Sequence, residues 1–214
     1  MSKGWTRITA PAAALNEAGI DTDVIFPARF LLRMEKAGLG ECLFADRRSG
    51  DDEAVSPFDL APRDDASIQI LIAGPQFGCG SSREHAVWSL VNFGIRAVIA
   101  PSFGEIFANN AARNGLAAIQ CPEDSCAAMM DSATIGPLSI DLESQTITAP
   151  NLAPLPFILP EADRQALING WDEIDMIAAA HAEDMVSFEK AYKARRSWTF
   201  EKEGAVSLVQ TCPG

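Results

Sequence analysis

Ser67-Ile68-Gln69-Ile70-Leu71-Ile72-Ala73-Gly74, followed after a Gly-rich turn by Ser81-Ser82-Arg83-Glu84, and then Ile95-Arg96-Ala97-Val98-Ile99-Ala100, Pro101 and Ser102-Phe103-Gly104-Glu105, is the stretch that decides the fold. Ile68 to Gly74 and Ile95 to Ala100 are short apolar segments of the length of buried strands, and Leu116 to Gln120 reads as a third. Each of the first two is followed by Ser-x-x-Glu, the pattern of a capping box that opens a helix. Ala86, Leu90 and Phe93, and then Phe103, Ile106, Phe107 and Ala111, recur at helical spacing. The pattern predicts two consecutive βα units. Crossovers of this length place strands parallel in one sheet, with the strand-to-helix turns at the carboxyl edge, where ligands bind.

Outward from this block the chain changes character. Trp5 to Leu15 reads as one strand, Ile20 to Leu32 as an apolar segment interrupted by Asp21, Asp23, Pro27 and Arg29, and residues 45 to 66 as loop. Leu138 to Leu142 and Thr146 to Ala149 predict a short hairpin, and the prolines of Pro150 to Pro160 argue against a central strand there. Helices are expected over Glu161 to Asn169, ending at Gly170, and over Ala182 to Arg196, with Met185, Phe188 and Tyr192 on one face. The fold class expected is α/β: a single domain over residues 1–214 with a parallel βαβαβ core, additional antiparallel strands and a helical tail over about residues 161–198.

Composition bounds the partners. The chain has 214 residues, 48% of them hydrophobic, and 17 basic against 29 acidic residues give a net charge of −12. Such a charge repels phosphate backbones and anionic membrane surfaces, so neither nucleic acid nor a membrane is expected as a partner. No apolar run reaches the roughly 20 residues that span a bilayer. Residues 1–10 lack the apolar core of a secretory signal. Five cysteines, Cys42, Cys79, Cys121, Cys126 and Cys212, are an odd number without disulfide-like spacing, which fits free thiols in the cytoplasm.

The chemistry is concentrated in Gln76-Phe77-Gly78-Cys79-Gly80-Ser81-Ser82-Arg83-Glu84-His85. Two glycines allow a tight turn and close approach to a ligand, and a helix beginning at about Ser82 supplies unpaired N–H groups. A capping serine accounts for one hydroxyl, but a cap needs neither a second serine nor the arginine beside it. The set suits a carboxylate, which Arg83 can grip in bidentate fashion. His85 stands within a turn of Ser81, although a histidine in a packed first turn more often serves structure. Gly78-x-Gly80 lacks the third glycine of a dinucleotide fingerprint, no Gly-Lys-Ser/Thr follows, and Ser81 lacks the flanking glycines of a hydrolase elbow. Cys121-x4-Cys126 with two distant histidines does not make a metal site.

Gly78 to Ala86, with Ile95 to Phe103, closely resembles the small subunits of 3-isopropylmalate dehydratase, a family of the aconitase superfamily. Asp21-Thr22-Asp23-Val24-Ile25-Phe26-Pro27-Ala28-Arg29-Phe30-Leu31 is similar to the family's N-terminal signature, and the likeness runs over about residues 4–200. It implies a swivelling β/β/α domain, reversible dehydration of a malate-type diacid in leucine biosynthesis, and a large-subunit partner that carries a [4Fe-4S] cluster, with no cofactor on this chain. It also implies Ser81 as the base, with Ser82 and Arg83 binding substrate. Arg29 or Arg33 would reach a second carboxylate, and Phe30, Leu31 and Leu32 would form a specificity segment facing the alkyl group. Val87, Gly19 and Ala108 depart from the family's usual proline, asparagine and tyrosine. These changes leave the catalytic run intact and bear on which diacid is used, so another substituted malate or maleate, of dimethylmalate or citraconate type, is the nearest alternative. A carboxylate-binding assembly module without catalysis is the alternative from another class.

Overall fold

The computed structural model describes residues 4–32, 38–48 and 67–196, and the chain divides into two compact units, Met1–Glu173 and Ile174–Gly214. In the first unit the expected parallel core is present. Strands β2 (Ala12–Leu15), β3 (Ile70–Ala73), β4 (Ala97–Ala100) and β5 (Ala117–Gln120) form one sheet in the order β2-β3-β4-β5, with every neighbour parallel. Strand β1 (Arg7–Ala10) belongs to a second, antiparallel sheet with β6 (Leu138–Asp141), β7 (Thr146–Thr148) and the two-residue edge strand β8 (Leu155–Pro156), in the order β1-β6-β7-β8.

The single strand expected over Trp5 to Leu15 is thus two strands in two sheets. The break falls at Pro11, which has no N–H to donate to either ladder. Ala10 pairs with Leu138 on one side of it, and Ala12 with Ile70 on the other. The hairpin at 138–149 and the absence of a central strand in the proline segment stand as read.

Alternation along β3 and β4 explains why both read as unbroken apolar runs. Leu71, Ala73, Val98 and Ala100 face one core cluster, with Ala86, Leu90, Phe107 and Ala111 of helices α3 (Glu84–Phe93) and α4 (Glu105–Arg113). Ile70, Ile72, Ala97 and Ile99 face a second, with Cys126 and Met129 of helix α5 (Glu123–Ala133) and Leu138, Ile140 and Ile147 of the antiparallel sheet. A strand covered on both faces has no polar side to show. Helix α5 went unread in the sequence because its apolar residues are sparse and interleaved with alanines and acids.

Smaller elements occupy the interrupted segments. Residues 20–32 hold a one-turn helix, α1 (Thr22–Ile25), and a 3-10 turn (Ala28–Phe30). Ala45–Arg48 forms helix α2, where the sequence suggested loop, and residues 49–66 lie outside the described residues. Helix α6 (Glu161–Asn169) ends at Gly170 in the left-handed region, as its sequence predicts. Helices α7 (Glu173–Ala180) and α8 (Ala182–Arg195) follow; in α8, Phe188 stacks on Tyr192 at 5.6 Å, and Met185, Val186 and Phe188 are exposed.

Both expected capping boxes are replaced by another arrangement. Helix α3 begins at Glu84, two residues later than expected, with Arg83 as its N-cap residue and no side-chain cap. Helix α4 begins at Glu105 behind Gly104, also uncapped by a side chain. The Ser102 hydroxyl instead accepts the Gln76 N–H at 2.9 Å, joining the turn after β4 to the turn after β3.

The β6–β7 hairpin is stapled to β1. Asp141 accepts the Ser144 N–H at 2.9 Å and the Arg7 guanidinium at 2.9 and 2.5 Å. These partners, the Ser144 N–H first, hold its carboxyl at about 2, below the usual 3.8. A depressed carboxyl stabilises the fold fully above its unfolded value and loses that effect as pH falls through the folded one. Asp141→Asn is therefore expected to be less stable than the wild type at pH 6, with the difference closing between pH ~4 and pH ~2 in urea unfolding curves.

Candidate functional site

Three chain segments meet where the parallel strands end. Phe77 donates its N–H to Ser102 O at 3.1 Å and receives Gly104 N–H at 2.9 Å, so the turn after β3 and the turn after β4 lie side by side. On the other side, Gly78 N–H reaches Ile20 O at 2.7 Å and Thr22 N–H reaches Cys79 O at 3.0 Å, which binds in the segment that opens α1. Asp21 accepts the Val24 N–H at 2.8 Å and so caps α1. The Thr22 hydroxyl, itself buried, donates to Ser81 O at 3.1 Å.

Glycine is required at two points of this junction. Gly78 has φ +72°, and a Cβ there would fall 2.3 Å from Cγ of Phe107. A Cβ on Gly104 would fall 2.4 Å from the Gly78 carbonyl oxygen. Phe77, Phe103 and Phe107 pack as a trio beneath the turn, with Phe103 and Phe107 stacked and Phe77 edge-on to both.

This scaffold brings Ser81, Ser82 and Arg83 to the carboxyl edge of the sheet, just ahead of α3. Both serines are exposed, and neither hydroxyl is used as a helix cap. The Arg83 side chain is only 23% exposed and pairs through Nη1 with Asp23 Oδ1. Asp23 and Thr22 are functional candidates that the sequence reading passed over. Their signal was present, two acids and a threonine inside an apolar segment, but nothing local says that they face a turn some 60 residues away. Farther back, Asn114 accepts Trp88 Nε1 at 2.9 Å and donates to Asn110 O at 2.9 Å, which ties α3 to the end of α4.

His85 packs on aromatic neighbours. Its ring stacks on buried Phe26 at 5.5 Å and lies 4.8 Å from the ring of Trp88. The segment expected to set specificity is divided: Phe30 and Leu31 are half-buried against the core, whereas Leu32 is 91% exposed. The Arg29 guanidinium is bound to Asp46 at 2.5 and 2.9 Å, and Arg33 lies outside the described residues. Among the described residues no three His, Cys, Asp or Glu side chains gather as metal ligands. Cys121 and Cys126 are buried, and desolvation pushes their thiols up to about 11 and about 12, so neither is a thiolate at neutral pH. No helix among the described residues is long and apolar enough to cross a membrane.

The parallel sheet presents hydroxyls and a guanidinium on its carboxyl-edge turns, and the model of the aconitase C-terminal domain matches residues 5–124. The chain belongs to the family of 3-isopropylmalate dehydratase small subunits. It is 41% identical over 198 residues to the 3-isopropylmalate dehydratase small subunit of Rhodospirillum centenum, covering 91% of this chain and 97% of that one. It is 42% identical over 198 residues to that of Gluconobacter oxydans, covering 91% and 94%. The crystal structure of a 3-isopropylmalate dehydratase from Methanocaldococcus jannaschii superposes with a TM-score of 0.62 at 26% identity, covering 86% of this chain and 99% of that one.

Gly78→Ala combines a left-handed φ with a collision against the Phe107 ring. It is expected to lower the unfolding free energy by about 2–4 kcal/mol, read from urea titration.

Proposed function

We propose that this chain is the small half of a heteromeric hydro-lyase that interconverts 2-isopropylmalate and 3-isopropylmalate by dehydration and rehydration, in the cytoplasm and in leucine biosynthesis. The observation that carries the proposal is the exposed Ser81 and Ser82 beside Arg83 at the carboxyl edge of the sheet. In this reading the whole chain serves as one swivelling domain, and a large subunit closes over the edge to complete the site.

The difficult step is removal of a proton next to a carboxylate, because the carbanion is stabilised only as its charge spreads into that carboxylate. Arg83 is the residue to receive that charge, with Asp23 holding one Nη of the guanidinium and leaving other donors for the substrate. Ser81 acts as the base in its alkoxide form. A free serine is far too weak a base at neutral pH, so backbone N–H groups at the start of α3 must stabilise the oxyanion. Ser82 donates to substrate, and the second carboxylate falls to an arginine of residues 29–33. Phe30, Leu31 and Leu32 form the wall nearest the alkyl group.

The family resemblance assigns a [4Fe-4S] cluster to the large subunit, and this reading keeps it there. When bound there, it supplies the Lewis acid for the departing hydroxyl.

With the complex reconstituted from this chain and a large iron–sulfur subunit, Ser81→Ala is expected to lower kcat by about 10²–10⁴-fold with KM within a few-fold. Arg83→Lys, which loses the planar fork, is expected to raise KM for the diacid about tenfold or more. Full activity in Ser81→Ala overturns the catalytic role and leaves an assembly module. Turnover of dimethylmalate or citraconate without turnover of isopropylmalate replaces the substrate.

A further inference from the structure

We infer that Asp46 is a specificity-positioning residue, which acts through Arg29 to fix the ring of Phe30 in the wall beside the substrate's alkyl group. The inference rests on the diacid reading above for its consequence, but its geometry is independent of it.

The 3-10 turn Ala28–Phe30 is held locally by two backbone bonds, Phe30 N–H to Pro27 O at 3.0 Å and Leu31 N–H to Ala28 O at 3.1 Å. Its inner face packs on the core, where the Phe30 ring lies 6.0 Å from that of Phe26, while its outer face is open to water. Arg29 supplies a further restraint. Its Nη1 donates to Asp46 Oδ2 at 2.9 Å and its Nη2 to Oδ1 at 2.5 Å, while its Cζ lies 4.5 Å from the centroid of the Phe30 ring. The carboxylate takes the end of the planar group and the aromatic ring takes its face. Where the fork is held, the ring lying on it is held too.

Asp46 can serve as a fixed point because α2 is anchored on several sides. Phe44, which leads into α2, is fully buried and donates its N–H to Ile25 O at 2.9 Å. Arg47, next to Asp46, is 15% exposed and forks onto Glu17, which follows β2. Arg48 lies over the ring of Phe93 at 5.2 Å. The helix is thereby tied to α1, to the loop after β2 and to the end of α3. A single exposed ion pair contributes little to stability, but a bidentate one stacked on a ring restricts orientation, and orientation is what a pocket wall needs.

The test compares Asp46→Asn, which weakens the charged fork at constant size, with Asp46→Glu, which restores the charge. In the intact chain, hydrogen exchange of the peptide spanning residues 26–32 is expected to be about tenfold faster in Asp46→Asn and near wild type in Asp46→Glu. In the reconstituted enzyme, Asp46→Asn is expected to raise KM for isopropylmalate about 5–20-fold with kcat within twofold, and to lower the preference for isopropyl over methyl-substituted malate about tenfold. Asp46→Glu recovers most of both. Unchanged exchange in Asp46→Asn overturns the positioning role. Faster exchange with unchanged preference overturns the specificity role. If the wild-type complex turns over no alkylmalate, the specificity role falls with the functional reading, while the exchange result still decides whether Asp46 holds the turn.

Discussion

The close approach of two backbone turns at the end of the parallel sheet is the constraint on which the rest depends. Gly78 sits against the Phe107 ring and Gly104 against the Gly78 carbonyl, at distances that admit no Cβ on either residue. Because the turns after β3 and β4 touch, their backbone groups bond to each other and to the segment entering α1. The three-way contact presents Ser81 and Ser82 outward. Strain at one point of it would be transmitted to the hydroxyls with little to absorb it, since the residues beneath are a packed aromatic trio and a fully buried pair of strands.

Electrostatics follow from the same junction. A chain of net charge −12 has a field that opposes a dianionic ligand, and three arginines among the described residues are each held by a carboxylate: Arg83 by Asp23, Arg47 by Glu17 and Arg29 by Asp46. These pairs keep the guanidinium groups oriented, and each pair is locally neutral. An arginine has five donors, so a carboxylate on one side leaves others for a ligand. The acidic partners therefore position the cations without removing their binding capacity. Asp46 sits low on the carboxylate scale because Arg29 binds it, and Glu17 likewise because of Arg47, so both remain ionised across the neutral range.

How much of this could be read in advance differs by residue. The apolar runs around Leu71 and Val98 identify β3 and β4 because a strand buried on both faces must be apolar at every position. Gly170 marks the end of α6 because a left-handed C-cap favours glycine. By contrast, Ser-x-x-Glu occurs twice and is a cap in neither place, since Ser102 binds a backbone N–H from another turn and Ser81 belongs to a turn ahead of the helix. Competing tertiary hydrogen bonds are invisible to a local pattern. Pro11 announces an interruption, yet that the halves of residues 5–15 join different sheets is a matter of long-range pairing.

The sequence by itself determined the α/β class, the parallel βαβ core and the glycine-serine-arginine turn, because short-range periodicity and residue type suffice for each. Only the tertiary structure decided that Thr22 and Asp23 support Ser81 and Arg83, that His85 stacks on Phe26, and that Arg29 is held by Asp46. The physical reason is distance along the chain: a side chain's partner across 17 to 60 residues is selected by where the strands and turns come to rest, and no local propensity carries that information.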